Sequence, residues 1–177
     1  LPISLTYGNG VYVYGTNSGG LSTSTDGITW TSRTSGTTFD IKGLTYGKGI
    51  YVYGTSGSSI STSTDGITWT SRTSNAGNQI YTITYGNGLF VYAGKSGILG
   101  TSTDGTTWTA QTSGTGSDIY SIIYGNGIYV YGGGGNTFYN YSGNVLATST
   151  DAITWTARTS KTTATIFSLI YGNGLYL

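Results

Sequence analysis

Six acidic and seven basic side chains are all the ordinary charge this 177-residue chain carries. Four of the acids sit in one repeated phrase. Ser24-Thr25-Asp26-Gly27-Ile28-Thr29-Trp30 returns from Ser63 to Trp69 around Asp65, as Ser102-Thr103-Asp104-Gly105-Thr106-Thr107-Trp108, and as Ser149-Thr150-Asp151-Ala152-Ile153-Thr154-Trp155. Carboxylates can ligate a metal or act as acid and base on a glycosidic bond. A metal needs several ligands at one point, and glycoside hydrolysis needs two carboxyls within about 10 Å. One Asp per repeat, in units that radiate, is expected to point the four away from one another. Their expected role is local: accepting turn N–H groups, worth on the order of 1–2 kcal/mol each.

Arg33, Arg72 and Arg158 recur three residues after the tryptophan, with Gln111 in that place in the third repeat. Three arginines could clamp a carboxylate, but on outermost strands they are expected at the rim, blunting sheet edges. All six acids are Asp, and the chain has no His and no Cys. A Ser or Cys nucleophile with a His base is therefore excluded, as are disulfides and thiolate metal sites. No phosphate-cradling Gly-x-x-x-x-Gly-Lys occurs. Neither cofactor nor metal is expected, and the chain reads as a non-enzyme. A net charge of +1 with 7% charged residues gives no footprint for nucleic acid. No run approaches the roughly 18 apolar residues of a membrane span. The start, Leu1-Pro2-Ile3, has neither an initiator Met nor signal-peptide character, so an excerpt of a longer protein is expected.

The elements that carry these residues repeat too. The tryptophans at 30, 69, 108 and 155 stand 39, 39 and 47 residues apart. Tyr7-Gly8-Asn9-Gly10 recurs at 46–49 (with Lys48 for Asn), 85–88, 124–127 and 171–174. Asn-Gly between alternating apolar segments marks a two-residue hairpin, and at Lys48 the flanking glycines are expected to supply the positive φ. In the first unit four short strands are read, at 3–7, 11–15, 21–25 and 29–34. They are rich in Val, Ile, Thr, Tyr and Trp. Four hairpin-linked strands per roughly 40 residues form one blade of a β-propeller. The expected fold is therefore all-β: a single propeller over 1–177 with blades at 3–38, 39–78, 79–117 and 118–164. The first two strands of a fifth follow at 165–177, and the whole is expected to belong to a larger ring.

Trp30, Trp69, Trp108 and Trp155 are expected to anchor packing, since an indole removes roughly 150–250 Å² from water. Strand two repeats an aromatic pair (Tyr12/Tyr14, Tyr51/Tyr53, Phe90/Tyr92, Tyr129/Tyr131) on one face with Val13, Val52, Val91 or Val130 on the other. Both faces are expected to pack against neighbouring blades. The loops between strands two and three, and the linkers between blades, are expected on the disc face opposite the repeated Tyr-Gly-Asn-Gly and Ser-Thr-Asp-Gly turns. There they vary most, and variable loops on a constant scaffold carry recognition. The fourth unit carries eight extra residues, within 132–144; Asn136, Phe138, Tyr139 and Tyr141 are the candidate ligand contacts.

The Ser-x-Asp…Gly-x-Thr-Trp turn resembles the Asp-box, or BNR, repeat of sialidase-like and photosystem II assembly-factor-like propellers. The resemblance extends over all four full units. It departs from the usual box in that Asp26-Gly27, Asp65-Gly66 and Asp104-Gly105 are adjacent and Ala152 replaces the fourth Gly. Sialidase-like chemistry, as the resemblance implies it, needs an arginine triad around the channel, a Tyr activated by Glu, and an Asp acid/base. This chain has no Glu and places its arginines at the rim. The leading expectation is a non-catalytic structural or receptor-binding module of a virion, of phage tail or fibre type, or of a cell surface. Its localisation is then virion or extracellular, and its partners are other surface proteins, the rest of its own chain, or a glycan. The first alternative is an assembly-factor-like propeller that binds proteins. The second is a fragment of a sialidase-like hydrolase, with its catalytic residues elsewhere.

Overall fold

The computed structural model describes residues 1–135 and 144–177. Four antiparallel meanders follow one another: β1–β4 (Pro2–Gly8, Val11–Thr16, Leu21–Ser24, Thr31–Arg33), β5–β8 (Ile41–Gly47, Ile50–Thr55, Ile60–Ser63, Thr70–Arg72), β9–β12 (Ile80–Gly86, Leu89–Gly94, Ile98–Ser102, Thr109–Thr112) and β13–β16 (Asp118–Gly125, Ile128–Gly134, Asn144–Ser149, Thr156–Ala157). A final hairpin pairs β17 (Tyr171–Gly172) with β18 (Leu175–Tyr176). Two short 3-10 turns, Asn17–Gly19 and Lys95–Gly97, follow second strands. Among the described residues no helix is long and apolar enough to cross a membrane.

First strands lie beside first strands, β1 next to β5, β5 next to β9 and β9 next to β13. The sheets therefore fan outward from an inner row of first strands, and each sheet face looks at a neighbouring blade. The core lies in these joints rather than inside any sheet. Val13, Leu21, Ile41 and Tyr53 fill the first joint, Val52, Ile80, Phe90 and Trp108 the second, and Val91, Leu99, Ile119 and Tyr131 the third.

Hairpin chemistry sets the register. The turns at Asn9-Gly10, Asn87-Gly88, Asn126-Gly127 and Asn173-Gly174 take positive φ at both central residues, as a type I′ turn requires. In the second blade Lys48 itself adopts φ 50°, followed by Gly49 at 81°. The expectation that flanking glycines would carry all the positive φ there is thus corrected: Gly47 lies outside the two central positions. It is glycine for a different reason, since a Cβ on it would overlap the ring of Tyr85. Lys48 Nζ also donates to the carbonyl of Thr103 at 3.1 Å, tying its turn to the next blade.

The fourth strands begin later than their β-rich sequence predicts, at Thr31 rather than Thr29. The carboxylate of Asp26 holds the N–H groups of Ile28 and Thr29 within the turn, which withholds both from the ladder.

Strand-two tyrosines offer a built-in comparison. Tyr53 and Tyr131 donate their hydroxyls to the carbonyls of Ser35 (2.6 Å) and Ser113 (2.8 Å). Tyr92 occupies the same repeat position, but its buried hydroxyl has no partner. An unsatisfied buried hydroxyl costs about 1–3 kcal/mol. Tyr92→Phe is therefore expected to leave stability unchanged or raise it, and Tyr131→Phe to lower it by about 1 kcal/mol. Urea unfolding of the two variants side by side measures the contrast.

Candidate functional site

The repeated Asp turns form a closed local network. Ser24 Oγ donates to Asp26 Oδ1 at 2.8 Å and accepts the Gly27 N–H at 2.8 Å, while Asp26 Oδ1 takes the N–H groups of Ile28 and Thr29, both at 2.8 Å. Asp65, Asp104 and Asp151 repeat these bonds with Ser63, Ser102 and Ser149. The indoles close the turns from the far side: Trp69, Trp108 and Trp155 donate Nε1–H to the carbonyls of Gly66, Gly105 and Ala152 at 3.1, 3.0 and 3.3 Å. Trp108 is buried, whereas Trp30, Trp69 and Trp155 are half-buried. The turns of the first two blades share a groove, lined by Asp26 and Asp65 together with Arg33 and Ile67. Each carboxylate nevertheless serves N–H groups of its own turn, and no group of three metal-ligating side chains occurs among the described residues. The arginines bond within their own blades, Arg33, Arg72 and Arg158 donating Nε–H to Thr23, Thr62 and Thr148 Oγ1.

These bonds give the fold a defined pH range. The N–H groups of Thr29 and Ile28 hold Asp26 down to about 2, those of Thr154 and Ile153 hold Asp151 at about 2, and Asp65 and Asp104 are lowered by the same kind of donors. A carboxylate lowered on folding stabilises the native state above its unfolded pKa near 4, and that contribution is lost as pH falls through the folded value. Burial pushes the phenols of Tyr51, Tyr81 and Tyr92 up to about 12. Their contribution is complete below the unfolded pKa near 10 and disappears as pH rises towards 12. With no His, Cys or Glu in between, the midpoint of thermal unfolding is expected to be flat from about pH 5 to 9 and to fall on both sides. Circular-dichroism melts across pH test this.

The concavity at the inner row of first strands has a different character. Each first strand carries a bulge near its start: the register skips between Pro2 and Ser4, Ile41 and Gly43, and Ile119 and Ser121, and likewise opposite Ala93 and Gly94. The unpaired residues are Ile3, Lys42, Tyr120 and Tyr81, and Phe167 holds the same repeat position ahead of the last hairpin. A bulge re-aims a side chain without breaking the sheet. Here it builds a ladder. Lys42 Nζ lies 4.7 Å from the Tyr81 ring centroid, Tyr81 stacks on Tyr120 at 5.4 Å and 5°, and Tyr120 meets Phe167 at 5.1 Å. Together with Ile3, Asn17 and Asp40 these residues line a cavity of about 440 Å³.

Acids support the ladder from beneath. Asp118 is buried, takes the Ser96 N–H at 2.8 Å, and accepts the Tyr120 hydroxyl at 3.2 Å. Asp40 takes the Ser18 N–H at 3.0 Å. Both bonds tie a blade linker to the preceding loop between strands two and three, so the cavity opens on the face that carries those loops. Of the predicted ligand contacts, Asn136, Phe138, Tyr139 and Tyr141 lie outside the described residues. Inward and outward alternation along each strand does not reveal the ladder, because the bulge takes this residue out of the alternation. The signal was present one position over: down this repeat column the chemistry changes from Ile to Lys to Tyr to Phe, while the preceding residues Ile41, Ile80, Ile119 and Ile166 stay constant.

No family model matches this chain, and no curated protein matches it. Solved structures do. YCF48 bound to D1 peptide superposes with a TM-score of 0.74 at 13% identity, over 97% of this chain and 57% of that one. YCF48 from Cyanidioschyzon merolae gives 0.67 at 17% identity, over 98% and 62%. A chain of the nidogen/laminin complex gives 0.67 at 14%, over 90% and 65%. The fold is a β-propeller. This chain spans less than two thirds of each of those chains. Within the propeller, the cavity lies along the inner strands and the Asp turns lie between blades.

Proposed function

We propose that the chain is a non-catalytic binding propeller that takes a segment of a protein partner in the inner cavity and on the surrounding loops. The observation that carries this reading is the bulged ladder of Lys42, Tyr81, Tyr120 and Phe167. Down this bulged column the residues run Ile, Lys, Tyr, Tyr and Phe, and aromatic side chains are the usual anchors of protein recognition. Solved propellers of similar fold with a D1 peptide and in a complex with laminin support protein as the partner class. The Ser-x-Asp turns, with their shared hydrogen bonds, support kinship with Asp-box repeats. The charge-poor surface rich in hydroxyls and amides supports a virion or cell-surface setting.

A glycan is the second reading, favoured by the exposed ring of Phe167 at the cavity edge, which offers a flat apolar face to a sugar. Peptide and glycan arrays probed with the same protein separate the two. Tyr81→Ala combined with Lys42→Ala is expected to abolish peptide capture while shifting the melting midpoint only slightly, since both residues are half-buried. Capture that survives this pair of changes in a folded protein removes the cavity from consideration. Capture of glycans alone supports the second reading.

A further inference from the structure

Between the first and second blades a cleft opens beside the linker that joins them. Its volume is about 620 Å³, within the roughly 300–1,000 Å³ of small-molecule pockets. Arg33 of the first blade lines it together with Tyr53, Ser59 and Ser61 of the second, and the linker supplies Thr37 and Phe39. None of its lining residues is acidic, and it shares none with the inner cavity.

The next two joints show that this cleft is not a by-product of the repeat. Between the second and third blades the arginine is kept, as Arg72, but the linker is drawn in. Asn75 Nδ2 donates to the Trp108 carbonyl at 2.9 Å, and Ala76 and Trp108 are both buried. In the first joint that place belongs to Gly36, where a Cβ would meet nothing within 4 Å, and Trp69 is only half-buried. Between the third and fourth blades the Ser-Gly-Thr linker returns as Ser113-Gly114-Thr115, but Gln111 replaces the arginine. Of these three joints, the first alone combines a guanidinium with an open linker.

Two further changes occur together here. Phe39 stands where the other two linkers carry Asn78 and Ser117, and Gly57 stands where the first and third blades carry Ser18 and Ser96. The Phe39 ring lies so close to Gly57 that a Cβ there would overlap it, yet the side chain remains 51% exposed. The core gains little from such a ring. What the pair provides is a flat apolar face fixed beside the cleft. Arg33 is fixed as well, since its Nε–H goes to Thr23 Oγ1 at 2.9 Å. Among the described residues its guanidinium donates through Nε alone.

We propose that this cleft binds one hexuronate unit of an acidic saccharide. The Arg33 fork takes the carboxylate, and Phe39 lies against the apolar face of the pyranose ring. Thr37, Ser59 and Ser61 exchange hydrogen bonds with the sugar hydroxyls, each side both donating and accepting. A simple anion uses Arg33 alone, and a neutral sugar uses only the ring and the hydroxyls. A carboxylated sugar uses all three. The site is additional to the protein-binding cavity on the inner strands and does not rest on that reading.

Amide-resolved NMR titration of the chain with digalacturonate tests the site. Saturable shifts are expected in residues 34–39 and 55–59. Arg33→Gln should weaken digalacturonate binding at least about tenfold and leave the weaker binding of neutral digalactose unchanged, while Phe39→Ala should weaken both. Gly36→Asn combined with Thr37→Ala copies the drawn-in linker of the next joint and should abolish binding without lowering the melting midpoint. Lys42→Ala with Tyr81→Ala should bind digalacturonate like wild type, which keeps this site separate from the inner cavity. Absence of shifts in those two segments overturns the proposal, as does digalactose or acetate binding there as tightly as digalacturonate. An Arg33→Gln variant that binds like wild type also overturns it. An acidic tetrapeptide that binds the cleft more tightly than digalacturonate makes it a peptide site and overturns the sugar.

Discussion

Trp108→Ala is expected to cost the chain about 3–5 kcal/mol, the range for removing a large aromatic from a filled core. The indole is 3% exposed, packs against Tyr92 with ring centroids 5.2 Å apart, and donates to the Gly105 carbonyl at 3.0 Å. It also lies in the joint between the second and third blades, with Val52, Ile60 and Ile80 around it. Asn75 of the preceding linker donates to the Trp108 carbonyl at 2.9 Å, so the same residue anchors both blades. Trp30→Ala, at the same repeat position, should cost less than half as much, because that ring is only half-buried. Repeat proteins couple mainly to nearest neighbours. Amide exchange in Trp108→Ala should therefore rise first in β5–β12 and last in the terminal blades. Equal costs for the two substitutions, read from urea unfolding, would show that packing inside each blade outweighs the joints.

Gly86→Val should cost about 3 kcal/mol, at the upper end of overpacking penalties. A Cβ there falls inside the space of the Tyr124 ring, and the Gly86 carbonyl must stay in place to accept the buried hydroxyl of Tyr129. The ring cannot simply swing away, because it also packs against Tyr129 at 4.6 Å. Combining Gly86→Val with Tyr124→Ala is expected to recover part of the loss, giving a coupling energy of about 1–2 kcal/mol in a double-mutant cycle. Strict additivity would mean that the glycine is required for backbone conformation rather than for the ring. Gly86 does not take a positive φ, so the steric account is the one the structure supports.

A period of 39 residues, Asn-Gly turns and alternating Val and Tyr were enough to define blades from the sequence alone. Each is a local signal: a turn needs two residues of positive φ, and a strand needs alternation. The Asp turns were equally legible, because the Ser, the Asp and the N–H groups they bind lie within six residues of one another. What depended on folding was everything that joins one blade to the next. Gly47 reads as a turn residue until Tyr85, 38 residues away, lands on it. Tyr53, Tyr92 and Tyr131 look equivalent until their hydroxyls are followed to carbonyls in other blades, where one finds none. Ile3, Lys42, Tyr81, Tyr120 and Phe167 sit about 40 residues apart along the chain and are neighbours only because each first strand bulges at the same point. Repetition along the chain therefore determined the unit. Contacts between units, which no local pattern encodes, decided which side chains form the core and which line the cavity.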